Sequence, residues 1–530
     1  MATSGLAQFL HDAELDIASY ERTIRDLESR LLQMKSRRDD LQQDVARVSS
    51  LLSPVRRIPT EILQEIFAFA GAERESNAFG VYATKESVAL RVSAVCNRWR
   101  TVALDTPDLW THFAAELQQR YRAPVDLFLV RSKQRPLALT ITEPEKGGLR
   151  DDRLLGLLVA QASRWRSIDY DHVLDENYLR IIEEIPSLPS LSSLVCSVIG
   201  TSFAACLKEC TSLNHLIVQY LYAHTLEVES LPLARVADLS IEYGKHGAFN
   251  NSLEILKACV DTVKTLTYES PSDHRKSNSV VPAQHAPLSA ADLAREPIQC
   301  RILSSLEIYL SSHSGVYPHV SDILQSLTLP ALRILAISGS CAYAEVHRGQ
   351  WPGHALDGFF ARSRCALTEL FISGLPLSDT EILAALRYTS PALERLTIAE
   401  VCTADHFPDA VQQPLVQTIT KSLVAELTVD TAKHVEGTLT PESSPFLPKL
   451  CFLELQVHRH FDADTEFVEM IKSRWYSSVA VSRPRHSSLR TANLYIRGRQ
   501  IDESVYVPLK ALDKEGMKIV VKGLNQGYIV

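Results

Sequence analysis

From Leu10 to Leu52 the apolar positions recur at alternating steps of three and four: Leu10, Ala13, Ile17, Tyr20, Ile24, Leu27, Leu31, Met34, then Leu41, Val45, Val48 and Leu52. Arg38 is the one break in the seam. About six heptads with charges between them, as in "ERTIRDLESRLLQMKSRRDD", predict a long α-helix with a narrow apolar stripe. At ~1.5 Å per residue, residues 10–52 extend about 65 Å. Such a stripe calls for a second helix, supplied either by another copy of the chain or by the same chain folding back. Ser53-Pro54 ends the helix, because proline cannot continue the hydrogen-bond ladder and constrains the residue before it.

A short amphipathic helix follows in "RRIPTEILQEIFAFA", residues 56–70. Pro59 suits a first turn, where no amide hydrogen is needed, and Glu61 complements the positive end of the helix dipole. Ile62, Leu63, Ile66, Phe67 and Ala70 fall on one side, and Gly71 is placed to cap the end. Residues 88–104, "VALRVSAVCNRWRTVAL", set Val88, Val92, Val95, Trp99 and Val102 at helical spacing, and "DTPDLW" closes the segment with Pro107 and Trp110. The intervening "GAERESNAFGVYATKE" reads as a polar loop. Helices this few and short form a weak core, so a near-obligate partner is expected.

The remaining chain repeats a leucine followed two residues later by another apolar group. It occurs at Leu194/Cys196, Leu216/Val218, Leu239/Ile241, Leu266/Tyr268, Leu306/Ile308, Leu335/Ile337, Leu370/Ile372, Leu396/Ile398, Leu453/Leu455 and Leu494/Ile496, and more loosely at Leu139/Ile141 and Ile168/Tyr170. Period-two alternation marks strands with one buried face, and turn-like stretches such as "LPALR" and "SPALE" precede several of them. Spacings of 22, 23 and 26 residues fit one strand and one return of a leucine-rich solenoid, whereas spacings of 35, 40 and 57 require insertions. The polar, proline-dotted stretch 269–297 is read as a mobile insertion, and there is no regular asparagine ladder.

The expected fold is therefore a mixed α+β or α/β repeat. A coiled-coil helix occupies residues 1–53, a small helical module 54–112, and an irregular leucine-rich-repeat-like solenoid with a curved parallel sheet 113–530. A compact α/β domain is the alternative, but it would leave so many similar strands to coincidence. "LKALDKEGMKIVVKGL" reads as a last helix, a Gly516 cap and a closing strand. Outward residues of the strands, such as Glu307, Arg395, Thr397, Glu454 and Tyr495, are the candidates for contact with a macromolecule.

Length and composition fit that picture. At 530 residues the chain outgrows a single core, and a net charge of -8 gives no global attraction to nucleic acid or to an anionic membrane. Its ten cysteines are scattered without CxxC pairs, the opening "MATSGLAQFLHDAELD" lacks the regions of a signal peptide, and no window approaches ~20 uninterrupted apolar residues. These features point to a reduced protein in the cytoplasm or nucleus. Asn250-Asn251-Ser252 matches a glycosylation pattern but lacks a secretory route.

No GxGxxG, GxxxxGKS, HExxH or GxSxG is present, so no catalytic residue, cofactor or metal is expected and the chain is not read as an enzyme. His458 and His460 would lie on one side of a strand with no ligand set to complete a metal site, and Cys206 and Cys210 read as core residues.

"IPTEILQEIF" followed by "VCNRWRTVALDTPDLW" resembles the F-box-like motif common in fungal proteins, over roughly residues 54–112. The resemblance implies a three-helix docking module for the Skp-type adaptor of a cullin-RING ubiquitin ligase. Carried over residue by residue, it implies a partner-facing surface drawn from Ile58, Pro59, Ile62, Leu63, Ile66, Phe67, Val95, Trp99 and Val102. Ile58 replaces the usual leucine, and the loop 71–87 exceeds the minimal motif. A RING would need closely spaced Cys and His pairs, which the chain lacks, so the implied role is substrate recognition, with chemistry supplied by a separate machine. The solenoid would then bind a protein substrate. A ligase-independent scaffold built on solenoid and coiled coil is the alternative, and self-association through residues 10–52 suits either.

Overall fold

The computed structural model describes residues 2–52, 54–72, 78–79, 87–142, 144, 151–170, 185, 187–196, 206–207, 209–221, 232–243, 249–269, 296–310, 320–339, 353–375, 377–400, 417–429, 446–475, 488–524 and 526. Most of the expected insertion 269–297, and the greater part of the loop 71–87, lie outside them. The chain divides into two units: Met1–Glu73 with Val88–Leu109, and Arg74–Ser87 with Trp110–Val530.

The first unit is helical. Helix α1, Ala2–Leu52, runs 51 residues, or about 76 Å. It ends at the Ser53-Pro54 break, and a 3-10 turn spans Pro54–Arg57. From residue 9 to residue 49 every side chain but that of Ala13 is exposed. The seam is as bare as the charged face, with Leu10 61%, Leu27 58% and Leu41 58% exposed. Among the described residues α1 therefore does not fold back onto its own chain.

Helix α2, Thr60–Ala72, begins one residue after Pro59, whose carbonyl accepts the Leu63 amide at 3.1 Å. Its buried stripe is Leu63, Phe67 and Gly71. Gly71 does not cap the helix as its position suggested: it lies inside the last turn, where a Cβ would meet the Leu109 carbonyl oxygen and side chain at 2.9 Å. Its role is close approach.

The single helix expected over 88–104 is two, α3 (Val88–Val95) and α4 (Asn97–Leu104). Cys96 between them is extended, with φ -161° and ψ 170°, and its sulfur accepts the Trp99 amide at 3.5 Å. Apolar spacing continues across one extended residue, which is why the break escapes the periodicity. Arg100 stitches the turn by donating to the Ser93 carbonyl at 3.0 Å. Leu63, Phe67, Ala89, Val102, Ala103 and Leu109 form the core of this unit.

Among the described residues the second unit holds a 15-stranded sheet whose strands follow one another in chain order, each parallel to the last. They begin with β1 (Ala78–Phe79), β2 (His112–Glu116), β3 (Leu137–Thr142), β4 (Trp165–Tyr170), β5 (Ser193–Cys196), β6 (His215–Leu221), β7 (Asp238–Tyr243) and β8 (Thr265–Glu269). β9 (Ile298–Gln299) and β11 (Leu327–Thr328) pair separately. The main sheet continues through β10 (Ser305–Leu310), β12 (Ile334–Gly339), β13 (Glu369–Ser373), β14 (Arg395–Ala399), β15 (Phe452–Val457), β16 (Thr491–Ile496) and β17 (Lys518–Lys522).

Register explains the repeat. Leu194, Leu216, Leu239, Leu266, Leu306, Leu335, Leu370, Leu396 and Leu453 sit side by side across successive strands. All are almost wholly buried. Burying one such leucine stabilises by roughly 2 kcal/mol before conformational entropy is counted. One strand is out of phase: Ala492 stands against Leu453 and Leu494 against Leu455, so the leucine of β16 occupies the second position of the pattern.

The strand entrances repeat as well. The carbonyl just before one strand accepts two amides that open the next: Ser192 from Asn214 and His215 (3.1 and 3.1 Å), Arg333 from Thr368 and Glu369 (2.8 and 2.9 Å), and Cys451 from Arg490 and Thr491 (2.8 and 3.1 Å). Small side chains reinforce the row where asparagines are absent. Ser192, Ser304 and Thr368 hydroxyls and the Cys451 thiol each donate to the preceding entrance carbonyl, at 3.1, 3.2, 3.1 and 3.3 Å. On the returns, the helices Val320–Gln325, Gly353–Ser363, Asp379–Thr389, Lys421–Glu426 and Asp464–Arg474 pack in succession. Ser378 and Glu381 form a capping box at the start of Asp379–Thr389. Near the end, Gly516 adopts φ +104° between the helix Leu509–Lys514 and β17, as its sequence context predicted.

Candidate docking site

Helix α2 is apolar on two faces, and the packing separates them. Leu63 and Phe67 are 1% exposed and Val102 4%, so these three, expected at a partner surface, are internal to the module. Trp99 is half-buried, its ring 5.0 Å from that of Phe67 at 62°. Ile58 is half-buried and Pro59 exposed. Ile62 (50%), Ile66 (46%) and Val95 (60%) face outward. Phe69, at 84% the most exposed large apolar side chain on the chain's described residues, was not among the expected ones. Its signal was present in the sequence: Ile62, Ile66 and Phe69 follow a helical i, i+4, i+7 spacing distinct from that of Leu63, Phe67 and Gly71.

Arg98 also escaped the pattern. Its guanidinium donates to the Arg56 carbonyl at 2.7 Å and to the Ile58 carbonyl, clamping the turn that delivers Pro59 to α2. The charged donors tie the entry of α2 to α4, and so fix Pro59 and Ile62 relative to Val95. An outward apolar set on so small a unit, held by a buried aromatic and an arginine clamp, is suited to burial against a partner.

On the second unit, the outward strand residues share one face of the sheet. Glu307, Ala336, Phe371, Thr397, Glu454 and Asn493 form one register row. Arg395 and Tyr495 lie in the rows to either side. Several of these are held by neighbours. Arg395 pairs with Glu369 at 3.4 Å and lies 4.0 Å over the Phe452 ring. Glu454 accepts from Gln456 at 2.9 Å and Asn493 at 3.0 Å, and the Tyr309 hydroxyl donates to Glu307 at 3.0 Å. This organises the face without any partner.

His458 and His460 lie beyond the end of β15 with their rings stacked at 5.4 Å, and no group of three His, Cys, Asp or Glu among the described residues could hold a metal ion. The Cys210 thiol is buried and donates to the Leu188 and Leu191 carbonyls, both at 3.2 Å. Half-buried Cys206 donates to that of Ile185 at 2.8 Å. Desolvation pushes the Cys206 thiol above the ordinary range, with Glu209 adding to the shift. No described helix is long and apolar enough to cross a membrane.

No curated protein matches the chain. Residues 55–116 match the model of the F-box-like family, whose members generally bind Skp-type adaptors. With its helical module and outward apolar set at that place, the chain carries an F-box-like domain at residues 55–116.

Proposed function

We propose that the chain is a substrate-recognition adaptor of a Skp-cullin-F-box type ubiquitin ligase. The observation that carries this reading is the coincidence of the F-box-like match with the outward residues Pro59, Ile62, Ile66, Phe69 and Val95. Those side chains dock the Skp-type adaptor, and Leu63, Phe67 and Val102 hold them in place from within.

The sheet-bearing unit is then a leucine-rich-repeat-like solenoid, a reading supported by the leucine row in register and the repeated strand entrances. Its outward rows bind a protein substrate. The chain supplies proximity rather than chemistry, bringing that substrate to a catalytic machine carried by other subunits.

A pull-down of the purified full chain with a purified Skp-type adaptor tests the docking step. Capture by the wild type, lost on Ile62→Asp with Ile66→Asp, is expected. Both positions are exposed, so this variant keeps its helices. Absence of capture by the wild type, or undiminished capture by the variant, overturns the reading.

A further inference from the structure

The bare seam of α1 has its complement in α1 itself. Taking Leu10 and Leu27 as the first and fourth positions of their heptads, the flanking positions are Glu14, Glu21, Glu28 and Lys35 on one side, and Asp16, Thr23, Arg30, Arg37 and Asp44 on the other. A parallel pair in register sets Asp16 against the partner's Glu21 and Arg30 against the partner's Lys35, each twice by symmetry, and offers no opposite-charge contact. It also stacks Arg38 on the partner's Arg38 inside the seam.

An antiparallel pair centred between Ile24 and Leu27 behaves differently. Its layers join Leu10 to the partner's Leu41, Ile17 to the partner's Met34, Tyr20 to the partner's Leu31 and Ile24 to the partner's Leu27. Arg38 falls opposite the partner's Ala13, the smallest residue of the seam. It also turns its guanidinium to Asp39 of its own chain at 2.6 Å, which leaves its aliphatic stem for the seam. Along the flanks Glu14 meets the partner's Lys35 and Asp16 meets the partner's Arg37, each twice, against a single repeated clash of Glu21 with the partner's Glu28. Sliding the partner by one heptad, so that the centre moves half a heptad toward the C-terminus, gains Glu21 against the partner's Lys35 but sets Asp16 against the partner's Asp44, Arg30 against the partner's Arg30 and Glu28 against the partner's Glu28. The next heptad step offsets Glu28 on the partner's Lys35 with Arg30 on the partner's Arg37, leaving no net gain.

We infer that α1 joins two copies of the chain as an antiparallel coiled coil over residues 10–41. The exposed seam supplies the affinity, and the charge order along the helix selects both direction and register. Since α1 leads directly into the F-box-like module, the two Leu52 ends stand about 80 Å apart on opposite ends of the pair. The assembly thus presents two docking modules at a fixed separation. This does not depend on what the modules bind.

Sedimentation equilibrium of the purified full chain should give twice the 59.1 kDa of one chain. Asp16→Arg has opposite consequences in the two directions. In the antiparallel pair it faces the partner's Arg37 and weakens association by about tenfold, and adding Arg37→Glu restores it. In a parallel pair it would face the partner's Glu21 and tighten association. Both positions are exposed, so neither change threatens the helix. Mixed Leu10→Cys and Leu41→Cys chains should give a disulfide joining those two peptides, read by mass spectrometry. A monomer throughout the micromolar range, a higher oligomer, an unchanged or tighter Asp16→Arg variant, or a bond between two copies of position 10 overturns the inference.

Discussion

The rings of Phe67 and Trp99 meet edge to face, 5.0 Å between centroids at 62°, and this contact joins α2 to α4. It fixes the boundary between the inside and the outside of the helical module. Phe67 is wholly buried, whereas Ile66, one residue away, faces out.

Truncation should expose that boundary. Phe67→Ala removes a packed ring and an aromatic pair, and is expected to cost about 3–5 kcal/mol. Ile66→Ala on the exposed face should change stability by about 0.5 kcal/mol or less. Hydrogen exchange over residues 60–104 of the full chain separates the two: fast exchange for the first variant, native protection for the second.

Arg474 is 1% exposed, and its guanidinium donates to three backbone carbonyls, those of Leu427, Leu447 (3.1 Å) and Phe446 (2.7 Å). Burial lowers its pKa to about 10, so the charge is held at a cost. Replacing a buried ion pair with apolar side chains is often neutral, but these carbonyls belong to the backbone and cannot be removed with the guanidinium. Arg474→Met, close in volume, should therefore lose about 3 kcal/mol or more, measured as the urea midpoint of the sheet unit.

Gly374 leaves β13 at φ +63°, and a Cβ there would overlap the Gly339 carbonyl oxygen at the end of the neighbouring β12. Gly374→Ala should cost about 2 kcal/mol or more from the left-handed backbone and the clash together. Gly516→Ala, where a Cβ meets nothing within 4 Å, should pay only for its backbone angle. A larger loss of unfolding midpoint for Gly374→Ala, despite its milder backbone angle, reports the clash.

The thiols separate by burial. Desolvation pushes Cys259 and Cys300 up to about 12, with Cys300 and Asp261 respectively adding to the shift. A thiol titrating there is ionised to only about one part in ten thousand at pH 8, and both are also shielded from reagent. Raising the pH favours thiolate, yet between pH 7 and 9 neither should alkylate in the native protein. Exposed Cys96, beside Val95, should label readily, and the Skp-type adaptor should protect it.

Much of this was legible in the chain. The stripe of α1, the stop before Pro54, the turn at Gly516 and the Leu-x-apolar strands all follow from local periodicity, because a buried stripe or ladder imposes its period directly on the sequence. The division of α2 was not. Leu63 and Ile62 are adjacent and equally apolar, and only contact with α3, α4 and Leu109 decides which is buried. The break at Cys96 and the true role of Gly71 were hidden for the same reason: one depends on a single backbone angle, the other on a neighbour 38 residues away.

Local spacing alone places the long helix, the short α2 and the Leu-x-apolar strands with their buried faces, since these depend on positions within a few residues. Tertiary structure decided the phase of β16, the clamp of Arg98, the burial of Arg474 and the outward set of Ile62, Ile66, Phe69 and Val95. Each of those turns on which distant backbone or side chain arrives alongside, and no local period records that.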